Sequence, residues 1–178
     1  MTYLIRAVRA EDWRELKDLR LAALADPAAP VAFTEPYAKA VAQSDEFWRR
    51  RAAQGDRGRV AQTFVGEPAG ADSAAGVARW AGMVTVLVEK DSVDVVGVYV
   101  RPEHRGTGLA GQLFAAAEEW ARPLRRIGVR RMRLHVHEDN PRAEALYRRL
   151  GYVRTGEADA DPKNPALNQY EMELRFDP

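Results

Sequence analysis

Arg105, Gly106 and Gly108 stand in a stretch whose residue types suit an anion: Val95-Val96-Gly97-Val98-Tyr99-Val100-Arg101-Pro102-Glu103-His104-Arg105-Gly106-Thr107-Gly108-Leu109-Ala110-Gly111. The run opens as a buried strand, β-branched and without charge from Val95 to Val100. Pro102 has no N–H to offer a ladder and stops it. From Leu109 the pattern turns helical, because Leu109, Leu113, Ala116, Ala117 and Trp120 recur at spacings of three and four. The order is therefore strand, Gly-rich bend, helix. The first N–H groups of a helix have no partner inside it and carry partial positive charge. Glycines at Gly106 and Gly108 let the backbone approach a ligand and take φ above zero. Arg105 adds a fork-shaped cation. A bend of this kind, Arg105, Gly106, Thr107, Gly108, Leu109, Ala110 and Gly111, is a site for phosphate or pyrophosphate.

Three patterns compete for the bend. The Walker A loop needs Lys and then Ser or Thr after its last glycine, and Gly111-Gln112-Leu113 has neither. The dinucleotide fingerprint G-x-G-x-x-G is literally present from Gly106 to Gly111, with acids after the next strand at Glu138 and Asp139. In that motif the strand runs almost directly into the first glycine. Here Arg101 to Arg105 intervene, with a proline and two arginines. The third pattern, (Gln/Arg)-x-x-Gly-x-(Gly/Ala), is filled by Arg105, Gly108 and Ala110. In this the chain resembles the GCN5-related N-acetyltransferase (GNAT) superfamily, whose acetyl-CoA loop follows a strand ending like Val98-Tyr99-Val100-Arg101-Pro102. A second stretch, Asn140-Pro141-Arg142-Ala143-Glu144-Ala145-Leu146-Tyr147-Arg148-Arg149-Leu150-Gly151-Tyr152, is similar to the other half of that signature, Asn-x-x-Ala-x-x-x-Tyr and then Leu-Gly-(Phe/Tyr). The two motifs cover roughly Asp94 to Arg154.

The resemblance implies transfer of an acetyl group from acetyl-CoA to a primary amine of a small molecule, by direct attack in a ternary complex. It implies that Val98, Tyr99 and Val100 meet the pantetheine amides as an added strand would, with the N–H of Val98 or a neighbour on the thioester oxygen. Tyr147 is then the candidate acid for the departing sulfur. A phenol with pKa ~10 stays protonated at neutral pH, and a thiol has pKa ~8.5. A packed aromatic on an amphipathic helix is the competing account. Asn140 opens that helix and suffices as its cap; in GNAT relatives this Asn also touches pantetheine or substrate. Family members often carry a Glu some six residues before the position of Val100. Here Asp94 stands there, shorter, reaching a substrate through a water or else facing solvent. His135 and His137 lie on a strand beside the expected cleft and can titrate near neutrality. His104 faces phosphate or solvent. The acceptor site would be lined by Val31 to Tyr37, Phe47 to Arg51 and Glu157 to Asn168, with Phe33, Tyr37 and Glu157 as the candidate contacts. The trio Glu157, Asp159 and Asp161 either attracts a cationic amine or is a solvated loop. A protein or peptide amine is an alternative acceptor. So is a non-catalytic acyl-CoA sensor, against which the intact Arg105, Gly106, Gly108, Asn140 and Tyr147 argue.

The elements that must hold these residues follow from pattern. Tyr3 to Val8 reads as a strand. A helix follows, capped by Asp12 with Glu15 in the capping-box place, and carries Trp13, Leu16, Leu19, Ala23 and Leu24 on one stripe. Pro27 to Pro36 reads as a loop, and Ser44 caps a second helix. Strands are expected at Val60 to Val65, Val77 to Val88 and Val93 to Val100, with a mobile hairpin loop from Pro68 to Gly76. The helix from Gly108 should break near Pro123. Arg130 to His137 reads as a strand, Ala143 to Leu150 as a helix closed by Gly151, and Tyr152 to Gly156 with Leu167 to Arg175 as a final hairpin around Glu157 to Ala166. The expected fold is α/β: a single domain over 1–178, a mixed central sheet and helices on both faces. The resemblance sharpens it to the GNAT fold, in which strands ending at Val100 and His137 splay to admit the cofactor. The chain has 178 residues, 46% hydrophobic and 30% charged, enough for one core. A net charge of +1 argues for neither nucleic acid nor membrane as partner. There is no cysteine, hence no disulfide and no thiolate nucleophile, and no His/Asp/Glu cluster has metal-ligand spacing, so no metal is expected. The N-terminus does not read as a signal peptide and no stretch approaches the ~18 apolar residues of a membrane span, so a cytoplasmic location is expected. Richness in Ala and Arg suggests a bacterial gene, and the resemblance leaves room for a homodimer.

Overall fold

A computed structural model of the chain describes residues 2–56, 60–69 and 80–176. The loop expected from Pro68 to Gly76 lies mostly outside them, as do residues 77–79 of the strand expected from Val77. The strands are β1 (Tyr3–Ala7), β2 (Ala61–Pro68), β3 (Gly82–Val88), β4 (Ser92–Val100), β5 (Arg131–His137), β6 (Val153–Ala160) and β7 (Asn168–Arg175). The helices are α1 (Trp13–Leu24), α2 (Ala29–Ala32), α3 (Tyr37–Val41), α4 (Asp45–Asp56), α5 (Leu109–Ala121) and α6 (Pro141–Arg149). The described strands form one mixed sheet in the order β1-β2-β3-β4-β5-β7-β6. No described helix is long and apolar enough to cross a membrane.

Two hydrophobic clusters sandwich the sheet. On one face Val84, Val86, Val93, Val95, Met132, Leu134 and Val136 pack against Leu109, Leu113, Phe114 and Ala117 of α5 and Tyr147 of α6. On the other, Val65, Met83 and Tyr99 pack against Leu16 and Leu19 of α1 and Trp48 of α4. The stripe read on α1 and the alternation read on β5 are the two patterns that supply these faces.

Among the described strands, all ladders are antiparallel except one. β4 and β5 run parallel and pair only at Ser92–Arg131, Val93–Met132 and Asp94–Arg133. Beyond Asp94 the two strands part. β4 also carries a bulge: Met83 pairs Tyr99 but Thr85 pairs Val96, so Gly97 and Val98 together oppose one residue of β3. Gly97 has φ +63°, a conformation that costs a glycine little. The extra residue reverses the strand's facing. Val93 and Val95 belong to the α5 side; after the bulge Val98 and Val100 take that side and Tyr99 turns to the α1 side.

Several boundaries differ from the sequence reading. The segment read as a loop from Pro27 to Pro36 contains the turn of α2, and α3 follows it. Glu157 to Ala160 continue β6 instead of forming a loop, because Ala158, Asp159 and Ala160 pair with Tyr170, Gln169 and Asn168. Asp12 stands before α1 but makes no side-chain cap bond to it. Its carboxylate accepts from Arg6 Nη1 (2.6 Å) and from the Arg9 amide (2.8 Å) instead. Ser44 does cap α4, accepting from the Phe47 amide at 3.3 Å. The break at Pro123 is a 3-10 turn over Arg122–Ile127. Gly151 ends α6 at φ +90°.

Candidate active site

The parting of β4 and β5 opens a cleft of about 790 Å³. One end is the bend before α5. Gly106 and Gly108 have φ +78° and +84°, and a Cβ at either would meet nothing within 4 Å. The bend thus faces open space with its backbone, and α5 begins there with the unpaired N–H groups of its first turn. Gly106, Gly108, Leu109, Ala110, Gly111 and Arg105 all line the cleft. The Leu109 side chain is buried in the core and pins the bend to the sheet. Thr107 turns away: its hydroxyl donates to the His104 carbonyl (2.7 Å) and accepts from Tyr3 Oη (3.0 Å).

Arg105 is less free than its position in the motif suggests. Its Nε donates to the Val100 carbonyl (3.0 Å) and its Nη2 is ion-paired with Asp26, a carboxylate only 4% exposed at the end of α1. The pair ties the α1–α2 connection to the bend and neutralises part of the cation. The anion-binding character of the bend therefore rests mainly on its amides.

Val98, Tyr99 and Val100 line the middle of the cleft, on the length of β4 that β5 has left. Tyr99 contributes backbone there, since its ring lies in the α1-side core. Across the gap lie α6 and its cap. The Asn140 side chain accepts from the Ala143 amide at 3.2 Å, so the capping role is realised, and the residue also lines the cleft. Tyr147 lines it too, 8% exposed, its ring 5.7 Å from that of Phe114. Burial alone pushes its phenol up to about 12. The hydroxyl is protonated at any physiological pH, and no hydrogen bond contributes to that shift.

The geometry does not favour Asp94 as a base. Its carboxylate receives Arg133 Nε on one oxygen (2.9 Å) and Arg133 Nη2 on the other (2.6 Å), and the Ser92 hydroxyl adds a third bond at 2.9 Å. Both oxygens of that carboxylate are engaged by a two-pronged guanidinium, which fixes the group toward Arg133. This pair closes the last rung before the strands part. Continuing the register past it would set His135 opposite Val96, beside the Gly97 bulge. His135 lines the cleft; its Nε2 lies 3.4 Å from the exposed Asp159. His137 is buried. The Asp139 amide donates to its Nδ1 (3.1 Å), which places the ring proton on Nε2, 3.7 Å from Asp161.

Of the expected acceptor contacts, only Phe33 lies in the cleft wall. Tyr37 is 47% exposed at the start of α3, and Glu157 stands exposed on the outermost strand β6; neither lines the cleft. The acidic trio also dissolves as a unit. Asp161 is buried and accepts from Gln169 Nε2 (2.8 Å) and the amides of Lys163 and Asn164 (2.8 and 2.9 Å). It shapes a turn from which Lys163 donates to the carbonyls of Pro30 and Phe33, bracing α2. The sequence reading missed Arg20, which lines the cleft against Phe33; Arg51, at the end of the expected Phe47 to Arg51 lining, does reach the cleft wall. Arg20 sits amid the apolar stripe of α1, and that interruption was the available signal.

A sheet whose central parallel pair parts beside a helix N-terminus, with a buried tyrosine across the gap, defines an acyl-CoA-type cleft. Residues 20–152 match the model of the acetyltransferase (GNAT) family, and the chain belongs to that family. It is 33% identical over 85 residues to the N-acetyltransferase YycN of Bacillus subtilis, itself uncharacterised; the match takes in 39% of this chain and 53% of that protein, so it spans about half the relative's length. Among solved structures it is similar to the PaiA N-acetyltransferase of Thermoplasma acidophilum in complex with coenzyme A, at 16% identity and TM-score 0.75 over 99% of this chain and 100% of that one. It is also similar to the spermidine N-acetyltransferase of Vibrio cholerae in complex with CoA and spermine, at 21% identity and TM-score 0.69 over 97% and 95%. At these identities the likeness is one of fold.

Proposed function

We propose that this protein transfers the acetyl group of acetyl-CoA to the primary amine of a small molecule, directly and within a ternary complex. One observation carries the reading: a single cleft joins the α5 N-terminus, with its two left-handed glycines, to the Tyr147 hydroxyl, along the length of β4 that β5 abandons. The residues fit the group. The open space over Gly106 and Gly108 admits a diphosphate to the bend amides. The β4 backbone from Val98 to Val100 is placed to pair with the amides of a pantetheine arm. When bound, acetyl-CoA supplies an acyl carbon already activated as a thioester.

The chain's own residues orient the partners and handle protons. The amine loses a proton as its C–N bond forms, and the sulfur gains one as the C–S bond breaks. His135, beside the bulge, is our candidate to take the first, since Asp94 is committed to Arg133. Tyr147 is the candidate to give the second. A phenol at about 12 facing a thiol of ordinary pKa ~8.5 would transfer its proton uphill by roughly 5 kcal/mol. The same burial that raises the phenol also raises the proton affinity of a thiolate leaving into that cleft, so the gap narrows. The absence of cysteine supports direct attack over a thiolate acyl-enzyme. Acetyl-CoA is an intracellular metabolite, which suits a cytoplasmic setting.

The test is release of free thiol from acetyl-CoA across an amine library, with wild type and His135→Gln. Turnover with some amines, and a kcat roughly 10²- to 10⁴-fold lower in the variant with its KM for acetyl-CoA held, are expected. Tight CoA binding with no turnover for any amine would overturn catalysis; an unchanged kcat would remove His135 from the role.

A further inference from the structure

Arg20 and Arg51 both line the cleft, as Phe33 does, and among the described residues they share one carboxylate. Arg20, 7% exposed, gives Nε and Nη2 to the same oxygen of Glu35, at 3.1 and 2.8 Å. Its guanidinium lies 4.7 Å from the centre of the Phe33 ring. Arg51 reaches that same Glu35 oxygen only at 4.0 Å. The remaining Arg20 nitrogen, Nη1, is buried with no hydrogen-bond partner among the described residues. It lies 3.9 Å from where a Cβ on Gly97 would stand, so it abuts the bulge where β4 parts from β5. The other acids in the cleft wall are already matched, Asp26 to Arg105 and Asp94 to Arg133. Two guanidiniums, one carboxylate and an idle buried donor leave this end of the cleft short of one negative charge. Burial, and then the neighbouring Arg20, hold the Arg51 pKa below its ordinary value, and the shared Glu35 offsets this only in part.

We propose that the acceptor carries a carboxylate beside its amine, and that Arg20 and Arg51 bind that carboxylate: the substrate is a free amino acid or an amino-acid-like compound. The inference rests on the acetyl-transfer reading and narrows its acceptor class. A guanidinium holds a carboxylate through two parallel N–H donors, which orients it as well as binding it. Placed beside Gly97, the bound acid would set the amine next to the bulge, where His135 also faces the gap. A polyamine is the wrong partner for this wall, because its second ammonium would meet uncompensated cations. The acidic residues Glu157 and Asp159, whose charge suits such a substrate, stand outside it.

The experiment pairs each of the proteinogenic amino acids with its carboxamide and its decarboxylated amine. Thiol release is measured with acetyl-CoA, and binding to the CoA-loaded protein by calorimetry. At least one amino acid should exceed its decarboxylated amine in kcat/KM by roughly 100-fold or more, with its carboxamide close to the amine. Arg51→Gln should raise KM for that amino acid roughly 10- to 100-fold, the range for loss of a charge-assisted bond. Its KM for acetyl-CoA should hold. Because Arg20 is buried and Arg20→Gln risks the fold, Arg51 is the decisive variant, and an unaltered circular dichroism melt certifies it. Equal rates with amines lacking the acid would overturn the carboxylate site while leaving acetyl transfer standing. Saturable amino-acid binding lost in Arg51→Gln, but without turnover, would keep the site and sink the transfer reading. Neither binding nor turnover for any amino acid overturns the proposal.

Discussion

Replacing Gly108 by Asn and by Asp separates the two things this position does. Its φ of +84° strains most L side chains, while the space above it is open. An Ala there would cost about 1–2 kcal/mol in backbone strain alone. Asn and Asp tolerate this region better than other residues and match each other in size, so the two variants share the same strain. They differ by one negative charge at the N-terminus of α5. A carboxylate about 4 Å from a phosphate charge is repelled by about 1 kcal/mol in water and about 4 kcal/mol at an effective dielectric of 20. Gly108 is exposed on a protein wall, between those limits. Gly108→Asp should therefore bind CoA roughly 5- to 1,000-fold more weakly than Gly108→Asn, while the two melt at the same temperature. Calorimetric titration with CoA at about 0.1 M and about 1 M salt provides the check, because the Debye length falls from about 10 Å to about 3 Å and should erase much of the difference. Equal CoA affinities for the Asp and Asn variants at low salt would refute the diphosphate cradle.

Tyr147→Phe removes one oxygen and keeps the ring against Phe114, so CoA affinity and melting temperature should hold while kcat falls roughly 10²- to 10⁴-fold. Full activity would make Tyr147 a packing residue. Arg105→Met should leave the Asp26 carboxylate, 4% exposed, without its cation, at about 3 kcal/mol of stability and a fall of several degrees in melting temperature; a melt within a degree of wild type would show the pair to be idle. Acid should destabilise the fold through carboxylates held below their ordinary values. Arg154 and then Arg148 hold Glu144 below 4.5, and Gln169 with the Lys163 and Asn164 amides holds Asp161 below 3.8. Groups lowered in the folded state stabilise it fully above those ordinary values, and the contribution fades as pH drops through the folded ones. Urea melts should thus agree at pH 5 and 7 and weaken below about pH 4; a flat profile down to pH 3 would contradict the assignment.

Much of the architecture was legible because it is written in local periodicity. The stripe on α1, the alternation on β5, the stop at Pro102 and the left-handed end at Gly151 each depend on a few neighbouring residues. Less of the site was legible. Reading Val93 to Val100 as one uninterrupted strand missed the bulge at Gly97, which exists only in register with β3 and which turns Tyr99 to the opposite face from Val93. Asp94 had the position of a base, but its availability depended on Arg133, 39 residues away, arriving across a parallel rung. Arg105 likewise met Asp26 from 79 residues away.

By itself, the sequence determined the order of elements, the Gly-rich bend before α5 and the placing of Asn140 and Tyr147 at the two ends of one short helix. Those are matters of spacing along the chain. Only the tertiary structure decided which charges remain available once folded. Counter-ions are chosen by which strands and helices meet, and a residue's chemistry changes when a distant guanidinium takes its lone pairs. That is why Asp94 yielded to His135, already a candidate, and why Arg20 joined Arg51 in the cleft wall; Tyr37 and Glu157 dropped out because folding places them outside it.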